Sequence, residues 1–187
     1  MEGIKIPQPE IKPQRVPTTE DLRKLFNALP GTRDKAIFLM LATSGLRVSE
    51  VLELCIEDVD METRTIYPRR GSRTKRTWVA FFNEEAAYWL RKHLEGNGIR
   101  DGRIFDVSQR WLERIFEEAS QRAGVNVKPS DLRKWFATEM ARLGVPDRYV
   151  DAFCGRVPRN VLARHYTDFS PERLREIYER AGLRVLQ

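Results

Sequence analysis

The chain is poor in the residues from which most metal and nucleophilic centres are built: it has two histidines and two cysteines in 187 residues. Cys55 and Cys154 stand apart in apolar stretches without CxxC spacing. That spacing excludes a disulfide framework and a cysteine zinc site, and the pair reads as reduced core thiols. Neither a P-loop nor a carboxylate cluster of metal-ligand type is present, so no metal, nucleotide or other cofactor is expected. Long apolar runs are missing too. The longest, Ala36 to Ala42, has seven residues, against about 18 for a membrane span. The N-terminus has no signal-peptide pattern, so a soluble, cytoplasmic protein is expected. Asparagine and glutamine are scarce, five of each beside 32% charged residues, a balance that leans towards a thermophilic source.

What the chain does have is basic charge. Thirty-three Lys and Arg exceed 27 Asp and Glu, for a formal +6, which suggests an anionic partner. With 41% hydrophobic residues, the length suffices for one domain with a real core. Residues 1–17, with four prolines, read as a linker or N-terminal arm, and 18–187 as the folded domain.

Local signals predict a mainly α fold with one small antiparallel β-hairpin. "TTEDLRKLFNALP" opens on a threonine cap and closes at Pro30. "RDKAIFLMLATSG" is apolar nearly all round, which marks a buried central helix ended by Gly45. "RVSEVLEL" follows, with Arg47 in its first turn. "TRTIYPRRGSRTKRTWVAF" places β-branched and aromatic residues on both sides of a basic, glycine-containing tip, as a hairpin does. Later helices are expected from an Asn83 cap to a Gly96 stop, from Ser108 to Gly124, from a Ser130 cap to Gly144, around 146–154 and 158–165, and from a Ser170 cap with Pro171 in the first turn. On the last of these Leu174, Ile177, Tyr178 and Ala181 share one face.

Four basic islands lie beside this apolar framework: Arg47, the hairpin tip with Lys75, Arg133 after "PSDL", and "GRVPRNVLARHYTD" with Arg156 and Tyr166. Singly, each reads as a solvated or ion-paired surface residue. Together they have a chemical logic. A phosphodiester under attack gathers negative charge on its non-bridging oxygens, and guanidinium groups bind such oxygens bidentately without losing their own charge. A positive field favours the phenolate of a tyrosine over its weakly nucleophilic phenol. A lysine can protonate the departing alkoxide.

These islands resemble the motifs of the tyrosine recombinases, the group of Cre, the Xer proteins and phage integrases. "TSGLRVSEVLEL" resembles the first arginine box and "SDLRKWFATEM" the second. "SRTKRTW" resembles the hairpin that carries the family's lysine, and "CGRVPRNVLARHYTD" is similar to the final box with the nucleophile. The resemblance covers roughly residues 18–183. It implies Arg47, Lys75, Arg133, Arg156 and Tyr166 as catalytic residues, with Tyr166 forming a 3′-phosphotyrosine and strand exchange needing neither metal nor ATP.

Two positions depart from the family's pattern. Ser130 stands where the second box usually has histidine, with an N-cap as its plain role; Lys128 is a candidate to replace the lost positive charge. Arg156 stands where histidine or tryptophan is usual, which keeps a phosphate clamp but removes a group that titrates near neutrality. Both departures resemble integrases of archaeal viruses and plasmids. His165 adjoins Tyr166, but successive helical residues diverge by about 100°, so its auxiliary role is secondary. Arg70, Arg73, Arg76, Lys134 and Arg159 are expected along DNA. His93 reads as solvated, Trp111 and Trp135 as core residues, and Glu50 as a same-face partner of Arg47.

The implied partners are double-stranded DNA and further copies of the chain, as a dimer or tetramer on DNA with helix 170–183 docking on a neighbour. The separate DNA-clamping domain that usually precedes this one does not fit in 187 residues, so a fragment of a longer enzyme is expected. A type IB topoisomerase-like nicking and closing enzyme and a non-catalytic DNA-binding fragment are the rival readings.

Overall fold

The first helix, α1 (Thr19–Ala28), starts where Thr18 and Asp21 cap each other's backbone amides, at 3.1 and 3.0 Å. Hydrogen bonds from Thr18 hold the Asp21 carboxyl below its ordinary range. The computed structural model describes residues 15–68, 79–156 and 167–187. In it α2 (Thr32–Ser44) is the central element, with residues 36–44 all buried. The Thr43 and Ser44 hydroxyls donate back to the Leu39 and Met40 carbonyls. These bonds let polar side chains end an otherwise apolar buried helix.

Around α2 stand α3 (Val48–Leu52), α4 (Glu84–Asn97), α5 (Gln109–Ala123), α6 (Pro129–Arg142) and α7 (Asp147–Phe153). The sheet has three antiparallel two-residue strands in the order β1 (Val59–Asp60), β2 (Thr65–Ile66), β3 (Ala80–Phe81), paired as Val59↔Ile66, Thr65↔Phe81 and Ile66↔Ala80. The expected hairpin is therefore present at its base, with β1 as an addition too short for a periodic signal. Its tip, with Arg70, Arg73, Lys75 and Arg76, lies outside the described residues.

The last helix, α8 (Pro171–Ala181), opens with the Ser170 hydroxyl accepting from the Arg173 amide. Leu174, Ile177 and Tyr178 are buried on the chain's own body, where Tyr178 meets Phe81 and Phe153 at ring-centroid distances of 5.6 and 5.8 Å. The Tyr178 hydroxyl donates to the Thr43 carbonyl at 2.7 Å. Burial of that hydroxyl pushes its pKa well above the ordinary tyrosine value. Beyond α8, the Val185 and Leu186 amides donate to the Glu85 carboxylate at 2.8 and 2.9 Å, and Arg23 donates to the Val185 carbonyl. An amphipathic helix needs its apolar face covered, and here the same chain covers it.

Three local readings are corrected. Helix α4 runs through Gly96 and ends at Gly98, which takes the left-handed conformation (φ +63°) that a C-terminal cap requires. His93 is 3% exposed rather than solvated. Its Nε2 donates to the Ile104 carbonyl, Nδ1 accepts from the Asn97 amide, and the ring stacks on Phe105. Ser130 is not a cap, because α6 begins one residue before it. The Asp131 carboxylate takes the Lys128 amide at 3.0 Å instead. Trp135 and both cysteines are buried as expected, and Trp111 is half-buried beneath the Arg33 guanidinium.

Candidate active site

Helix α2 ends at Gly45 in the left-handed conformation (φ +69°), and the chain turns at once into α3 with Arg47 at its N-cap position. One turn on, Glu50 is 6% exposed. Its carboxylate accepts the Arg47 backbone amide at 2.7 Å and the Arg47 Nη1 at 3.2 Å. The same carboxylate lies 4.0 Å from Arg133 Nη1. A buried carboxylate placed between two guanidinium groups aligns both.

Arg133 projects from the second turn of α6 into the body of the protein. Its Nη1 donates to the Gly45 carbonyl at 2.6 Å and its Nη2 to the Cys154 carbonyl. Two backbone carbonyls from different parts of the chain thus fix the plane of one guanidinium. Burial lowers the Arg133 pKa below the usual arginine value, and the positive charges of Arg47 and Arg156 act in the same direction. Arginine nevertheless stays charged in proteins. A cation in that position gains from an incoming anion.

Arg156 follows the turn after α7. Its amide donates to the Asp151 carbonyl and its Nη1 to the Asp151 carboxylate at 3.1 Å. Arg133, Arg156 and Arg47 all act on the Cys154 thiol, which burial, the larger effect, pushes up. Arg47 and Arg133 share the Glu50 carboxylate, and Arg133 reaches the Cys154 carbonyl two residues before Arg156, so the three arginines lie in one neighbourhood near the C-terminal ends of α2 and α7. Ser130 and Lys128 sit exposed at the start of α6; Lys134 is exposed and pairs with Asp131 at 3.0 Å.

Lys75, Tyr166, His165, Arg70, Arg73, Arg76 and Arg159 lie outside the described residues. Their flanks are described: β2 and β3 bracket the Lys75 segment, and Arg156 and α8 bracket the Tyr166 segment. Among the described residues no group of three His, Cys, Asp or Glu side chains is placed to hold a metal ion. No helix there is long and apolar enough to cross a membrane. Sequence reasoning found Glu50 as a partner of Arg47 but missed its reach to Arg133. It also missed the two carbonyl anchors, which no side-chain pattern announces.

The chain matches the family model described as the phage integrase family over residues 15–173. It is 32% identical to the tyrosine recombinase XerA of Thermococcus onnurineus, over 97% of this chain and 70% of that protein. It is 28% identical to the tyrosine recombinase XerA of Saccharolobus solfataricus, over 76% of this chain and 49% of that protein. The chain thus spans about half the length of one of these relatives and about 70% of the other. Among solved structures, a crystal structure of XerA recombinase superposes with a TM-score of 0.69 at 28% identity, covering 96% of this chain and 68% of that one. The integrase from mycobacterium phage Brujita shares the fold, with a TM-score of 0.72 at 23% identity over 95% of this chain and 61% of that one. On these grounds the chain belongs to the phage integrase family.

Proposed function

We propose that this chain is the catalytic part of a site-specific tyrosine recombinase that breaks and rejoins double-stranded DNA. The observation that carries the proposal is the pairing of Arg47 and Arg133 on Glu50, with Arg133 anchored by two carbonyls, one of them two residues before Arg156. Three neighbouring cations, with Arg133 held by two carbonyls, suit a phosphate whose charge rises during attack. The Tyr166 phenolate attacks phosphorus, a tyrosine–phosphorus bond forms, and the bond to the 5′-oxygen breaks. The departing oxygen takes its proton from the Lys75 ammonium. In the reverse direction a 5′-hydroxyl, from the same or another strand, displaces Tyr166 and restores the phosphodiester. The number of phosphodiester bonds is unchanged, so no ATP is consumed.

The wider reading follows from this chemistry. Arg70, Arg73, Arg76, Lys134 and Arg159 supply phosphate contacts along the duplex, with the salt dependence that counterion release imposes. Lys128 and Ser130, at the exposed start of α6, flank Arg133. Self-association of copies on DNA, with α8 at the contact, belongs to the same reading; release of α8 would uncover Leu174, Ile177 and Tyr178. The test is incubation with a duplex nicked beside the cleavage site, so that the short leaving fragment diffuses away. A protein–DNA adduct surviving a denaturing gel is expected; none across varied sites and temperatures would exclude cleavage and leave DNA binding alone.

A further inference from the structure

We infer that Gly45 and Phe136 form a clasp that sets the spacing of Arg47 and Arg133, making Gly45 a positioning residue of the reaction. The inference rests on the recombinase reading of the three arginines. Gly45 is gripped twice by α6. Its carbonyl accepts from Arg133 Nη1 at 2.6 Å. Its Cα lies against the ring of Phe136, where an added Cβ would stand 2.6 Å from Cε1 and 2.8 Å from Cδ1. Arg133 and Phe136, three residues apart, occupy one face of α6. Phe136 is itself fully buried and meets Phe153 edge-on at 6.3 Å, so the ring has little room to retreat. Two residues beyond Gly45 comes Arg47, whose backbone amide is held by Glu50. The path from one guanidinium to the other is therefore short and stiff: Arg133, the Gly45 carbonyl, two peptide units, Arg47.

A Cβ at position 45 adds strain in the left-handed conformation and collides with a ring that the core holds in place. The turn then moves off Phe136, carrying the carbonyl that orients Arg133 and the backbone that bears Arg47. Displacements of about 1 Å at a reacting centre can cost about 100-fold in rate. DNA affinity, summed over many phosphate contacts, is far less sensitive to one turn.

The experiment compares wild type, Gly45→Ala, Phe136→Leu and the double variant by single-turnover cleavage of the nicked duplex at saturating DNA. DNA affinity and the Nη–H signals of Arg133 in [15N]arginine-labelled protein are measured alongside. Gly45→Ala should slow cleavage by roughly 10- to 100-fold, with Kd within about threefold, and shift or broaden the Arg133 signals. Leucine lacks Cε1 and Cζ, so the double variant should regain part of the lost rate and of the Arg133 signals. Phe136→Leu alone should slow cleavage by a few-fold, and it tests the clasp if Gly45→Ala fails to fold. Unchanged Arg133 signals and cleavage in Gly45→Ala, or wild-type behaviour in Phe136→Leu, would overturn the clasp. A wild type that forms no adduct sinks the recombinase reading instead, while the Arg133 signals, read without DNA, still decide the clasp.

Discussion

Replacing Glu50 by glutamine keeps the shape of the side chain and removes its charge from between two arginines. Breaking a well-buried ion pair by removing one partner costs about 3–5 kcal/mol. Two features of the site reduce that figure. The Arg47 side chain is 32% exposed, so water screens its share, and Arg133, at 16%, lies 4.0 Å away and keeps both carbonyl partners. Glutamine also retains one oxygen for the Arg47 amide, so the loss there is the difference between an ionised and a neutral acceptor, about 1 kcal/mol. The expected destabilisation is about 2 kcal/mol, which for a domain of this size lowers Tm by roughly 4–8 °C. Differential scanning fluorimetry measures it. DNA should then restore more stability to the variant than to wild type, because a bound phosphate replaces the missing negative charge and stabilises only the folded form. A Tm within about 1 °C of wild type, or equal stabilisation of both proteins by DNA, would refute Glu50 as the charge that holds the two guanidinium groups.

Three further outcomes are expected. Lys75→Ala should slow cleavage of an ordinary phosphodiester and recover when the 5′-leaving oxygen is replaced by sulfur, which departs without a proton; no recovery in single-turnover assays would disqualify Lys75 as the donor. His93→Ala should lower stability by about 2 kcal/mol, since it leaves the Ile104 carbonyl without its donor and strips the stack on Phe105. An unchanged urea midpoint would contradict that assignment. Raising salt from 50 to 200 mM should weaken DNA binding steeply in titrations, and a flat response would argue against phosphate contacts by the basic islands.

Features governed by neighbouring residues were legible in the sequence. The caps at Thr18, Asn83, Ser108 and Ser170 each act within three residues, and each is found where the pattern placed it. The buried character of α2 followed from its unbroken apolar surface. Long-range contacts were not legible. Arg133 is oriented by carbonyls 88 and 21 residues away, and a backbone carbonyl leaves no trace in residue type. His93 was misread because charged neighbours along α4 suggested solvent, whereas the loop bearing Ile104 and Phe105 folds over it. The amphipathic face of α8 announced burial, and Leu174, Ile177 and Tyr178 are buried against this chain's own core. Gly96 and Gly98 both fit a helix stop by composition; only the backbone, left-handed at Gly98, distinguishes them.

The central claim is that Tyr166 becomes joined to DNA. It is tested most directly by digesting the adduct trapped on the nicked duplex and locating the modified peptide by mass spectrometry, with Tyr166→Phe in parallel. The account predicts a nucleotide mass on the peptide containing Tyr166, no adduct with Tyr166→Phe, and DNA affinity nearly the same in both proteins. An adduct that persists in Tyr166→Phe, or one that maps to another residue, would contradict it.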